Sequence, residues 1–391
     1  VKRASVKLGD LCSVVTKGTT PTSVGLDFAQ AGIPFLRVQD IGGNTVSLEN
    51  VLYIDSATHH ALERSKVRGG DFLITIAGTV GRTAVVPSGF PESNCNQAVA
   101  ILRFNNERLC PNYLLHWFST DDAVAQISGR KVTATISNLS LGQIRELEIP
   151  LPALSEQRRI AAMLDKVVAI RQKRDQAIDL ADEFLRALFV DMFGDPVTNS
   201  KGWELSPFSA VGTLDRGRSR HRPRNDPALL GGAHPLIQTG EVANSRGYIK
   251  RYSATYSDFG LSQSKKWEAG TLCITIAANI AKTGILNFPA CFPDSVVGFL
   301  PNNSVTVEYI QHWLGFLQKN LEENAPQAAQ KNINLEILKA LPVPLPPKSE
   351  QEKFSAIVRR VIAVEETMTI FGNELGNAFD ALCQRAFSDQ A

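Results

Sequence analysis

Five arginines, Arg216, Arg218, Arg220, Arg222 and Arg224, fall within nine residues, with His221 among them and Gly, Ser and Pro between. Such a composition makes a loop rather than a helix face. Guanidinium forks fit phosphate oxygens and base edges alike, so the chemistry on offer is recognition of nucleic acid. A solvated loop or a contact to a partner protein fits the same residues. Other polar groups offer similar chemistry. Ser262, Gln263, Ser264, Lys265 and Lys266 place short donors beside two ammonium groups. Arg82 and Lys282 each precede a threonine after matching apolar runs, and Arg130, Lys131 and Lys331 precede Pro-rich segments. Arg37 and Gln39 follow the strand-like IPFL, and Lys17, Thr19 and Thr20 open a small hydroxylic loop that suits a phosphate backbone.

Catalytic signatures are missing from the same sequence. It holds no G-x-x-x-x-G-K-[ST], no G-x-G-x-x-G and no H-E-x-x-H. Ser262-x-x-Lys265 matches an acylase tetrad only formally, because no S-D-N or K-T-G accompanies it. His116 and His312 sit beside Trp in equivalent segments, which suggests packing or a polar tether. His59-His60 has no ligand-like neighbours, and the cysteines at 12, 95, 110, 273, 291 and 383 form no C-x-x-C pair. Neither a zinc site nor a disulfide scaffold is expected, and a reducing cytoplasm is the simplest setting.

The elements that must position these loops come in duplicate. GGDFLITIAGTVGRTAV (69–85) matches AGTLCITIAANIAKTGI (269–285) without a gap, and the ITIA core is identical. Tyr113-Leu-Leu-His-Trp117 matches Tyr309-Ile-Gln-His-Trp313. IPLPALSEQRRI (149–160) matches VPLPPKSEQEKF (343–354), and LRALFVDMFGD (185–195) matches FDALCQRAFSD (379–389). The order is kept throughout, so the chain is two related halves. Each half starts with a strand-rich part, marked by short β-branched runs such as Phe72–Ile76 and Val296–Leu300.

Each half ends in a long helix. No Pro or Gly occurs from Ser155 to Phe193, and a heptad stripe runs through Ile160, Val167, Ala181 and Leu188, with Leu164, Ile178, Leu185 and Met192 beside it. Arg171 and Arg174 interrupt it. The second copy carries Phe354, Val361, Met368, Leu375 and Leu382, with Val358 and Phe379, and is interrupted by Glu365, Gly372 and Gly376. Ser349-x-x-Glu352 reads as its capping box. A lone amphipathic helix this long, about 57 Å, would leave its stripe wet. The duplication supplies the partner, so the two helices are expected to lie antiparallel.

Composition bounds the rest. Of 391 residues, 43% are hydrophobic and 20% charged, which predicts packed cores. Lys plus Arg is 41 and Asp plus Glu 39, giving a net charge of +2. Local clusters, rather than this total, set the field at a contact. No apolar run reaches the length of a membrane span, and the basic start VKRASVKLGD lacks an apolar signal core.

Together these segments resemble the specificity subunit of type I restriction–modification systems over essentially the whole chain. The Pro-rich P-L-P-x-x-x-E-Q openings of both helices, the GDFLITIAGTVGRTAVV and GTLCITIAANIAKTGIL segments, and the endings at Leu188–Asp195 and Leu382–Asp389 carry the resemblance. It implies a mixed α/β (α+β) fold of two duplicated target-recognition domains, 1–150 and 197–345, separated by long antiparallel coiled-coil helices in 151–196 and 346–391. It further implies a chain without a catalytic centre that binds an asymmetric, split DNA target. Two modification subunits would use S-adenosylmethionine to methylate adenine N6, and restriction subunits would use ATP and Mg. The rods would then act as a ruler between half-sites, with an unread spacer on the order of 5 to 8 base pairs. Two rivals stay open on sequence alone. A standalone DNA-processing enzyme would show cleavage or methyl transfer as a purified chain. A helical scaffold protein would show no salt-dependent DNA binding.

Overall fold

The computed structural model describes residues 5–104, 108–129, 138–277, 280–323 and 334–387. Contacts divide the chain into two compact units, Val1–Arg174 with Phe371–Ala391, and Asp175–Ile370. Each is a mixed α/β lobe carrying part of both long helices, Leu154–Phe193 (the central helix) and Lys348–Phe387 (the C-terminal helix).

In the first unit an antiparallel sheet runs in the order Cys12–Lys17, Val99–Phe104, Phe72–Thr75, Thr83–Val85. A second sheet runs Leu52–Ile54, Ile33–Leu36, Ser93–Cys95, Lys66–Val67. Side chains alternate along a strand, and here both faces are covered. Phe72, Ile74, Ala100 and Leu102 face a core shared with the helices. Leu73, Val99 and Ile101 face a separate core, which Leu36, Val67 and Cys95 of the second sheet share. Double coverage is why FLIT reads as a continuous apolar run instead of alternating.

The second unit repeats this plan. Gly212–Arg216, Val296–Pro301, Leu272–Thr275 and Thr283–Leu286 take the same order, and Gly247–Ile249 adds a fifth, parallel strand. Its second sheet runs Ala254–Tyr256, Leu230–Leu236, Ala290–Cys291, Lys266–Trp267.

The repeated E-Q dipeptides turn out to be joints between lobe and helix. Gln157 is fully buried. Its Oε1 accepts from the Cys110 amide at 2.9 Å, and its Nε2 donates to the carbonyls of Arg108 and Pro152. Gln351 does the same with the Thr306 amide and the carbonyls of Ser304 and Pro346. Tyr113 and Tyr309 donate to the carbonyls of Pro150 and Pro344, both at 2.8 Å. The helix containing Ser349 starts at Lys348, and the Glu350 and Gln351 amides donate to the Pro347 carbonyl. Ser349 therefore lies inside the helix, not at its cap.

A second tether lies beside each joint. Asn112 and buried His116 bond to the Asp165 carboxylate at 3.0 and 2.8 Å. At the equivalent positions Arg359 donates to buried Glu308 at 2.7 Å, and Tyr248 donates to the same oxygen. His312 Nδ1 donates to the Glu308 carbonyl at 2.9 Å, and its ring meets Phe354 edge to face. Burial holds His312 below the usual imidazole range.

Start meets end where the helices touch. In the first unit Ile160 and Leu164 share a core with Cys383 and Phe387, and Phe379 and Leu382 pack against it half-buried. Val167 is also buried. In the second unit Leu185 shares a core with Phe354 and Val358, while Val361 is half-buried. Ile178 is buried and Leu375 half-buried. The stripe departs from the heptad reading toward the end of the central helix. Phe189 and Phe193 are the buried residues there, and Leu188 and Met192 only flank the core. A straight helix drifts from a strict seven-residue repeat. Phe189 must also reach the lobe, where it stacks on Tyr309 at 5.5 Å. The two interruptions, in contrast, meet each other. Gly372 faces the Arg174 guanidinium, Gly376 faces Arg171, and Arg171 lies 4.7 Å over the Phe379 ring. The C-terminal helix runs unbroken through both glycines.

Candidate nucleic-acid interface

Strand register gathers the basic residues that lie far apart in sequence. In the first unit Lys17 pairs with Ala100, Ala100 with Ile74, and Ile74 with Thr83. Lys17 and the turn residue Arg82 therefore end on the same margin of the sheet, about 14 Å apart across three strand spacings. In the second unit Arg216 pairs with Val297, Val297 with Ile274, and Ile274 with Thr283. Arg216 and the turn residue Lys282, next to Thr283, end on the same margin. All four side chains are exposed. They make no ion pair among the described residues.

The turn that presents Arg82 and Lys282 is set by the repeated threonine. The Arg82 amide donates to Thr75 Oγ1 at 2.9 Å, and the Lys282 amide to Thr275 Oγ1 at 3.1 Å. Gly81 takes the left-handed conformation at φ 91°, and Ala281 takes it at φ 57°. Beyond the first strand, Gly18 and Gly217 also match. Their amides donate to Val99 and Val296, and the next residues, Thr19 and Arg218, donate to Cys95 and Phe292. A Cβ on either glycine would sit 2.1 or 2.3 Å from a facing carbonyl oxygen, so both loops cross there by close backbone approach.

These crossings start two different loops. In the first unit Thr20 bonds Gln97 and is half-buried, as is Thr19. Arg37 is committed: it donates to both oxygens of buried Asp40, at 3.1 and 3.2 Å, and to the Asn50 carbonyl at 2.8 Å. Gln39 beside it is exposed.

In the second unit the arginine loop is sewn to the Ser262–Lys266 segment. The Arg220 amide donates to the Gln263 carbonyl at 3.1 Å, and Ser264 Oγ donates to the Arg218 carbonyl at 2.8 Å. Lys265 donates to Asp215 at 3.0 Å and lies 3.8 Å over the Trp267 ring. That hydrogen bond holds the Asp215 carboxyl below its usual range. Ser262 is exposed and donates to the Phe259 carbonyl. Arg224 donates to Asp294 at 2.6 Å; Arg222 donates to the carbonyls of Ser219 and His221 and reaches Asp294 at 3.9 Å. Arg216, Arg218, Arg220 and Lys266 are exposed and have no side-chain hydrogen bond or ion pair among the described residues. Arg130, Lys131 and Lys331 lie outside the described residues.

Asp40 stands out in the sequence beside Arg37 and Gln39, though as a candidate contact and not as the group that holds Arg37. Sequence reasoning missed Gln97, Asp215 and Asp294, although Asp215 adjoins Arg216 and was open to notice. Asp294 is 70 residues from Arg224 and carried no local signal. Among the described residues no group of three or more His, Cys, Asp or Glu could hold a metal ion. Nor is any helix among them long and apolar enough to cross a membrane.

Known proteins share the sequence pattern and the fold. Residues 2–180 and 200–370 each match the type I restriction modification DNA specificity domain. A putative type I restriction enzyme MjaX specificity subunit from Methanocaldococcus jannaschii is 20% identical over 382 residues, covering 93% of this chain and 87% of that one. Other curated relatives match over 32 to 50% of their own length. The crystal structure of a type I restriction–modification system S subunit from M. genitalium superposes with a TM-score of 0.63 at 15% identity, over 99% of this chain and 96% of that one. A structure describing complex assembly and conformational transition of the type I R-M system gives 0.60 at 19% identity, over 99% and 97%. With both halves matched in turn, the chain belongs to the type I restriction–modification DNA specificity family, as a specificity subunit.

Proposed function

We propose that the two lobes, 1–150 and 197–345, are target-recognition domains that each read one half of an asymmetric, bipartite DNA target. Sequence-specific DNA binding within a type I complex is the family's role. The observation that supports two separate readers is the shared sheet margin of Lys17 with Arg82 and of Arg216 with Lys282. Equivalent sheet margins carry equivalent basic residues, while the loops above them differ. The first is hydroxylic, the second rich in arginine. Basic residues at the margin supply phosphate attraction, and the loops supply base-edge contacts.

The long helices, on this reading, form an antiparallel coiled coil that spaces the lobes. Their outer faces carry Ile170, Leu180 and Phe184 on one helix, and Val364 and Ile370 on the other, between 43% and 62% exposed. Apolar positions left open in this way suit partner subunits. The partners are modification subunits that use S-adenosylmethionine for adenine N6 methylation and restriction subunits that use ATP and Mg. This chain positions them and carries out no chemistry itself.

Titrating the purified chain with duplex DNA over a range of salt tests the reading. Removing Lys17 and Arg82, or Arg216 and Lys282, should weaken binding and flatten the logarithmic salt slope by about 1 to 2. A slope near zero for the parent chain would reject DNA binding through these margins.

A further inference from the structure

Asp294 sits in the turn that leads into Val296–Pro301, and this turn grips the recognition loop in both lobes. In the first lobe the grip is neutral, Gln97 on Thr20. In the second it is a carboxylate that meets two guanidiniums, Arg224 at 2.6 Å and Arg222 at 3.9 Å. A solvent-exposed ion pair is weak when isolated. Here one carboxylate serves two arginines, and the carbonyls of Ser219 and His221 hold Arg222 from behind at 2.6 and 2.8 Å. Freeing either guanidinium disturbs the other and the loop backbone. The remaining arginines of the cluster have no such anchor.

We propose that Asp294 is a positioning residue for DNA recognition: it withholds Arg222 and Arg224 from the phosphate backbone and leaves Arg216, Arg218 and Arg220 to meet the duplex. The proposal rests on the DNA-interface reading of this loop. Its consequence is selectivity. Five mobile guanidiniums would bind any phosphate chain, and nonspecific affinity grows with each phosphate neutralised. Pinning two of them lowers binding to arbitrary sequence. It also fixes the loop so that the other three arrive in one arrangement, which base reading requires.

The test uses the full-length chain and fluorescence anisotropy across a salt series. Two duplexes serve as probes, one of random sequence and one carrying the target found from the methylated sites of the reconstituted complex. Asp294→Asn keeps the size of the side chain and removes its charge. It should steepen the salt slope on random DNA by about 1 to 2 and cut the ratio of target to random affinity by roughly threefold or more. Adding Arg222→Ala and Arg224→Ala to that variant should restore the parental slope. The same two alanines in the parent chain should leave the slope nearly unchanged, and this arm decides the matter even if Asp294→Asn folds poorly. An unchanged slope in Asp294→Asn, or a strong flattening by Arg222→Ala with Arg224→Ala alone, overturns the proposal. The variant with Arg216, Arg218 and Arg220 all changed to Ala separates the two levels. If it binds like the parent, the interface reading fails, and the role of Asp294 fails with it.

Discussion

Glu308 shows how a single buried residue ties a lobe to its helix. It is almost fully buried, yet its carboxyl lies below the usual range. Burial pushes the value up, and the hydrogen bonds from Arg359 and Tyr248 outweigh it. A depressed carboxyl contributes stability above its unfolded value, near 4.5, and loses it as pH falls through the folded value. Arg359→Ala should therefore cost about 1 to 3 kcal/mol at pH 7, toward the lower end because Arg359 is largely exposed. The deficit should shrink as pH falls from 7 through the depressed folded value, below 4.5, where Glu308 becomes neutral in the parent as well. Thermal melts of parent and variant at the two pH values measure this, and an equal deficit at both would contradict the assignment. Little of this tether was legible in sequence. His116 and His312 stood out by repetition, but their partners did not, because Asn112 with Asp165 and Glu308 with Arg359 reverse polarity between the copies. The basic loops were plain from composition, whereas Asp294, which restrains Arg222 and Arg224, lies 70 residues from Arg224 and leaves no local signal.

At the scale of elements, the repeat and the apolar stripe were readable because burial imposes a period. The strand runs around ITIA, the Pro-rich stops and the two long helices all follow from that. The capping box at Ser349 was misplaced because the Pro347 carbonyl already accepts the first helical amides. The glycines of the C-terminal helix looked like weak points and are instead complements to Arg171 and Arg174. A Gly-to-Ala change inside an exposed helix normally gains about 1 kcal/mol. Gly376→Ala should approach that gain, since the nearest atom of Arg171 lies 3.4 Å from the added carbon. Gly372→Ala should not, because the added carbon falls on the Arg174 guanidinium. Pairing it with Arg174→Ala should recover part of the gain. Melting temperatures of the three variants check this, and a full gain for Gly372→Ala alone would show that Arg174 moves aside freely.

For the whole molecule, the proposed role makes helix length a property of the target. Each helix has 40 residues, about 60 Å at 1.5 Å per residue. Removing one matched heptad from both would shorten the rods by about 10 Å, or about 3 base pairs, and rotate one reader against the other. Such a protein should lose the parental target or select a different spacer, as sequencing of methylated sites would reveal. An unchanged spacer in a folded deletion protein would mean that the partners or DNA bending set the distance. The most direct test of two independent readers is the methylated motif made by the complex when Arg216, Arg218 and Arg220 are all alanine. The account predicts that one half of the motif becomes degenerate while the other half and the spacer stay as in the parent. Loss of information in both halves, or in neither, would contradict it.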